Sequence, residues 1–134
     1  PRQLQELLTA LLVGRRAQLP ETAVCMECKA RGTPCLLVDQ GLPCLGPVTQ
    51  AGCGGICPAF GRACYGCFGP VAAPNIPALQ REFAAQGRSE EEIGRLFAGF
   101  TVNAPAFRAV ARPPLNVLPS PHSPARPEVS DARP

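Results

Sequence analysis

The sequence predicts a small, loop-rich, mainly α fold with few or no strands, organised around a block of cysteine-bearing loops, and three observations carry that prediction. The chain has 134 residues, of which 17 are proline and 13 glycine, so little of it is free to form long regular elements. Its eight cysteines all fall between Cys25 and Cys67, and neither flank holds one. Helical spacing of apolar residues recurs only outside that block. A domain with so thin a core leans on disulfides or metal, and the cysteines are the candidates for either.

Charge and hydropathy narrow the partners. The formal charge is +3 and almost wholly arginine, with Lys29 the only lysine, so no dense basic stripe points to nucleic acid. The first apolar stretch, Leu7 to Val13, is short and runs into Gly14-Arg15-Arg16, which suits neither a signal peptide nor a membrane span. The chain opens on Pro1 within a helix-like pattern, so it reads as a fragment with sequence upstream.

Leu4, Leu7, Leu8, Leu11 and Leu12 share one stripe of a helix expected from about Arg2 to Val13 and stopped at Gly14. Such a stripe packs on a neighbouring domain or subunit. From Cys25 to Pro70 no period of two or 3.6 is sustained, so loops and single turns wrapped around a ligand are expected. Asn75 reads as a helix cap with Pro77 in the first turn, Leu79 and Phe83 as a short apolar face, and Gly87 as its end. Ser89 and Glu92 have the spacing of a capping box for a following helix that carries Ile93, Leu96 and Phe97, and the two helices should form a hairpin. Beyond about Val110, prolines crowd a tail with few apolar anchors, expected to be disordered. The lone His122 lies there, away from any expected site. Three parts result: a helix over 1–14, a cysteine-rich domain with a C-terminal helical hairpin over 15–110, and a Pro-rich tail over 111–134.

The cysteines follow the pattern Cys25-x2-Cys28-x6-Cys35-x8-Cys44-x8-Cys53-x3-Cys57-x6-Cys64-x2-Cys67, which divides into two sets of four. A Cys-x2-Cys pair brings two thiolates to one centre from a single turn, and a following loop completes a four-thiolate shell. Three readings compete. Four disulfides would suit a small secreted domain, but no secretory signal is present and the block begins and ends with chelating Cys-x2-Cys pairs. Two structural zinc sites are a stronger rival, although zinc ribbons present two such pairs per site and each set here has one. The remaining ligands lie among glycine, proline and apolar residues, as in Pro43-Cys44-Leu45-Gly46-Pro47 and Gly52-Cys53-Gly54-Gly55. Such loops give a 4Fe-4S cluster an apolar pocket with backbone N–H groups free for its sulfurs. Spacing puts two clusters ahead of zinc and leaves the choice open.

The segments Cys25-Met26-Glu27-Cys28-Lys29, Cys44-Leu45-Gly46-Pro47-Val48-Thr49, Ala51-Gly52-Cys53-Gly54, Cys57-Pro58-Ala59-Phe60-Gly61-Arg62 and Cys64-Tyr65-Gly66-Cys67-Phe68-Gly69-Pro70 resemble the small subunit of cytoplasmic nickel-iron hydrogenases. Within that family they are most similar to the delta subunit of the NADP-linked, sulfhydrogenase type. The resemblance runs from Pro1 to about Phe107. It implies a flavodoxin-like domain upstream that holds a third, proximal cluster and receives the stripe of the first helix.

Further expectations follow from the resemblance. It implies a distal 4Fe-4S cluster on Cys25, Cys28, Cys35 and Cys44, and a medial one on Cys53, Cys57, Cys64 and Cys67, with exchange of a ligand between sets left open. Cys25 replaces a histidine ligand of membrane-bound relatives and Cys57 replaces a proline, changes that favour low potential and a complete 4Fe-4S shell. The implied protein is an electron-transfer subunit of an oxidoreductase that acts on hydrogen, with no bond-making active site in this part. Its implied partners are the nickel-iron large subunit, a flavin- and NAD(P)-binding subunit and an iron-sulfur electron-transfer subunit, in the cytoplasm. A deazaflavin-reducing hydrogenase or a respiratory complex I relative could carry the same clusters. Gly46, Gly52, Gly54, Gly55, Gly61, Gly66 and Gly69 are expected to let backbone approach the clusters, and Phe60, Tyr65 and Phe68 to shield them from water.

Overall fold

The structure is a computed structural model that describes residues 2–111. The expectations for the tail, Ala111 aside, and for His122 fall outside the described residues. Among those residues the chain forms helices α1 (Arg2–Leu12), α2 (Val24–Ala30), α3 (Leu36–Asp39), α4 (Ile56–Ala59), α5 (Ile76–Ala85), α6 (Glu90–Phe97) and α7 (Pro105–Arg108), with a 3-10 turn at Gly46–Val48. No strand forms among the described residues; two isolated antiparallel bridges, Ala23 with Gln50 and Thr49 with Pro70, are the only extended pairing there. The fold is therefore loop-rich and mainly α.

The hairpin of α5 and α6 forms for the reasons its sequence suggests. Asn75 Oδ1 accepts the Ala78 N–H at 3.2 Å, and Pro77 occupies the first turn, where its missing N–H costs nothing. At Ser89 a full capping box closes, with the Glu92 N–H donating to Ser89 Oγ and the Ser89 N–H to Glu92 Oε2. Ile76, Leu79 and Phe83 of α5 then meet Ile93 and Phe97 of α6 in one buried cluster. Phe107 on α7, an element the periodicity does not signal, packs edge-on against Phe97 with ring centroids 5.4 Å apart.

That cluster continues into the cysteine block through Val24, Leu45, Val48, Cys44 and Cys64. Gly66 is the point of closest approach: its φ is +75°, and a Cβ there would come within 3.2 Å of both Leu45 and the Phe107 ring. Only glycine fits that backbone and that gap. Thr49, fully buried, satisfies its hydroxyl by donating to the Leu45 carbonyl at 2.6 Å.

Helix α1 forms as its leucine spacing predicts and ends at Gly14, whose φ is +68°. Its stripe does not pack on the described residues, since Leu8 is 53% exposed and Leu11 68%. Ala10, at 1% exposure, marks the face that does pack. The tether is polar: Gln3 Nε2 donates to the Ala51 carbonyl at 3.1 Å, and Glu6 accepts from Arg15 and from the Gln18 N–H. No helix among the described residues is long and apolar enough to cross a membrane.

Candidate cluster-binding sites

All eight cysteines are free thiols. Cys25 and Cys28 project from the first turns of α2, Cys35 immediately precedes α3, and Cys44 leads into the 3-10 turn. These four line a single cavity of about 270 Å³, whose remaining wall is mostly apolar and includes Leu36, Leu37, Pro47 and Pro58. Gly46 forms part of the wall, where a Cβ would lie 3.3 Å from Cys44 Sγ and 3.5 Å from Cys25 Sγ. Backbone thus approaches both sulfurs where any side chain would fill the space.

The electrostatics describe the same convergence. Burial first, then the neighbouring sulfurs of Cys44, Cys28 and Cys35, push the Cys25 thiol up to about 11, with Lys29 opposing. Cys28 is raised by burial and then by Cys44, Cys53, Cys35 and the neighbouring Glu27 carboxylate. Thiols so placed stay protonated near neutrality unless a cationic group takes the place of the protons.

The second four are contributed by separate turns. Cys53 lies in the Gly52–Gly55 loop, Cys57 in α4, and Cys64 and Cys67 flank the turn at Gly66. Burial lifts the Cys64 thiol to about 12, with a hydrogen bond from the Gly66 N–H opposing and Cys44 and Cys53 adding to the rise. Cys67 is raised by burial and then by Cys53 and Cys57. Cys53 is therefore the shared neighbour of Cys64 and Cys67. The two sets adjoin, since the Cys64 N–H donates to Cys44 Sγ at 3.2 Å and Cys28 feels Cys53. Among the described residues no group of three or more His, Cys, Asp or Glu is arranged to hold a single metal ion.

Two features add to the sequence reading. Phe60 is 79% exposed and Tyr65 51%, with Phe68 also at the surface, so among the described residues these rings are not part of the buried core. The buried aromatic positions are Phe83, Phe97 and Phe107, set by the helical packing. Glu27, quoted in the sequence only as part of a motif, joins the two sets by accepting the N–H groups of Gly52 and Gly55. A carboxylate between two ligand positions, paired with a glycine-rich loop that has N–H groups to satisfy, was the available signal.

Two adjoining sets of thiols on a loop-rich helical scaffold form a candidate array of sulfur ligands. No family model matches the chain. It is a homologue of hydrogenase iron-sulfur subunits. It is 42% identical over 77 residues to the delta subunit of sulfhydrogenase 2 from Pyrococcus furiosus, covering 58% of this chain and 32% of that protein. It is 35% identical to a subunit of the vhu F420-non-reducing hydrogenase of Methanococcus voltae, over 72% of this chain and 42% of that protein. A shorter match, 57% identical over 35 residues, links it to the iron-sulfur subunit of the F420-non-reducing hydrogenase of Archaeoglobus profundus, covering 26% of this chain and 11% of that protein. The chain thus spans between about a third and two fifths of the length of the first two relatives.

Proposed function

We propose that this chain is the cluster-bearing part of a hydrogenase small subunit and relays single electrons through two 4Fe-4S clusters. The observation that carries the reading is the cavity whose wall holds Cys25, Cys28, Cys35 and Cys44 together. Four sulfurs line it, the rest of its wall is mostly apolar with Lys29 and Thr33 among it, and backbone at Gly46 leaves room beside two of the thiols, which suits a cluster. Cys53, Cys57, Cys64 and Cys67 hold the second cluster, a reading supported by the influence of Cys53 on Cys64 and of Cys53 and Cys57 on Cys67.

Each cluster supplies a one-electron carrier. The protein's own residues fix it, exclude water from its inner side and supply N–H donors such as that of Gly66. The first set is the distal cluster and the second the medial one. The all-cysteine shells, with Cys25 and Cys57 as the added thiolates, place negative charge about the irons and favour low potentials. That suits a wire between a nickel-iron large subunit and a flavin- and NAD(P)-binding partner, with a further iron-sulfur subunit between them, in the cytoplasm. The exposed stripe of α1 covers an upstream flavodoxin-like domain that bears the proximal cluster, where each leucine fully buried contributes about 1.5–3 kcal/mol.

The test is anaerobic purification followed by iron, sulfide and zinc analysis and a redox titration followed by electron paramagnetic resonance. The expected protein is brown, with about eight irons per chain and two reducible centres near the hydrogen couple. A colourless protein with about two zinc ions would replace the reading with a structural module.

A further inference from the structure

We propose that Glu27, although it stands between two ligand positions of the first set, is a positioning residue for the second set and holds the potential of the cluster bound there low. The inference rests on the cluster reading above and deepens it. Glu27 lies half-buried on α2 and reaches across to the loop that carries Cys53. Its Oε1 accepts the Gly52 N–H at 2.8 Å, and its Oε2 accepts the Gly55 N–H at 3.1 Å. The same Oε2 is 3.8 Å from Cys53 Sγ. Arg31, one turn further along α2, donates to the Gly54 carbonyl at 2.7 Å, so the whole loop is pinned to that helix.

The loop can lie this close only because of its glycines. Gly55 has φ +61°, and a Cβ there would approach Cys28 Sγ to 3.2 Å and the Cys28 backbone nitrogen to 3.3 Å. The N–H groups on either side of Cys53 are thereby committed to a carboxylate. In a glycine-rich cluster loop such donors ordinarily serve the cluster sulfurs, and each bond to sulfur raises the potential. Glu27 withdraws two of them and adds a carboxylate near a ligand sulfur. Both effects act in the same direction, towards lower potential; the charge is also felt by Cys28 of the first set, and it is the withdrawal of two N–H donors from the loop of Cys53 that weights the effect towards the second.

The experiment compares the full-length wild-type protein with Glu27→Gln and Glu27→Asp, each purified anaerobically, with Cys67→Ser used to assign the signals of the second cluster. Wild-type protein that carries no iron would remove the cluster reading itself and is recognised before any variant is made. With eight irons retained, Glu27→Gln should move the midpoint of the second cluster positive, by more than it moves the first, and Glu27→Asp should stay nearer the wild type. If Glu27→Gln instead loses iron, the proposal requires that the second cluster alone is lost and that Glu27→Asp restores it. Unchanged midpoints, a larger effect on the first cluster, loss of the first cluster, or an Asp variant as perturbed as the Gln variant would each overturn it.

Discussion

The α5–α6 hairpin and the cysteine block share one buried cluster of side chains but are held in place by different means. In the hairpin, Ile76, Leu79, Phe83, Ile93 and Phe97 are buried, both helix starts are capped, and every choice of residue agrees with the helical conformation. In the block, the elements are single turns, glycines at positive φ link them, and the buried groups include thiols that repel one another once ionised. The hairpin is specified by its own sequence, whereas the block is specified by its sequence together with what the cysteines bind. Helix α1 is a third case: it has the periodicity of the hairpin, but its stripe stays open to solvent. Periodicity thus reports that a helix forms and which face is apolar, and is silent on where the partner of that face comes from.

Removing the metal should break the comparison most visibly. Structural metal sites contribute about 10 kcal/mol or more of folding energy where no site preforms, so stripping iron anaerobically should abolish hydrogen-exchange protection across 23–67. The hairpin amides, supported by caps and apolar packing, should keep a larger share of theirs. Equal loss across both regions would mean that the shared cluster of Leu45, Val48 and Phe83 couples them into one unit. A smaller effect is expected from Phe97→Ala. Phe97 is 1% exposed and stacks edge-on with Phe107, so truncation should cost about 3–5 kcal/mol in denaturant unfolding of the iron-loaded protein. The iron content of the folded fraction should stay at the wild-type value, because Phe97 lies outside the cysteine-lined cavity.

The hairpin was readable because Asn75, Pro77, Ser89 and Glu92 act within a few residues of where they stand. Helix α7 was not, since Pro105–Arg108 is a single turn and Phe107 is recruited by the distant Phe97 and by the gap at Gly66. Phe60 and Tyr65, close to ligand positions in sequence, lie at the surface and outside the buried core, a placement that adjacency in sequence does not encode. Spacing proposes the two cysteine sets. Their contact through Cys64 and Cys44, and the bond from Glu27 to the Gly52–Gly55 loop, join residues far apart in sequence, and no local pattern encodes them.

The smallest expected effect concerns α1, the helix whose apolar face is uncovered. Glu6 accepts from the Arg15 guanidinium and the Gln18 N–H, and these bonds hold its carboxyl at about 2, against an ordinary 4.5. A carboxyl depressed in the folded state stabilises above its unfolded value, and that stabilisation is lost as pH falls towards the folded one. The window is therefore roughly pH 4.5 down to 2, and the pair lies at the surface, so solvent and salt weaken the effect. Across that window the segment from Glu6 to Gln18 should loosen, seen as faster exchange at the Gln18 amide, while the amides of α5 hold. Glu6→Gln should produce the same loosening at neutral pH and make it independent of pH. If instead Gln18 stays protected throughout, α1 is fixed by Ala10 and the Gln3 bond to Ala51, and the ion pair contributes nothing measurable to its position.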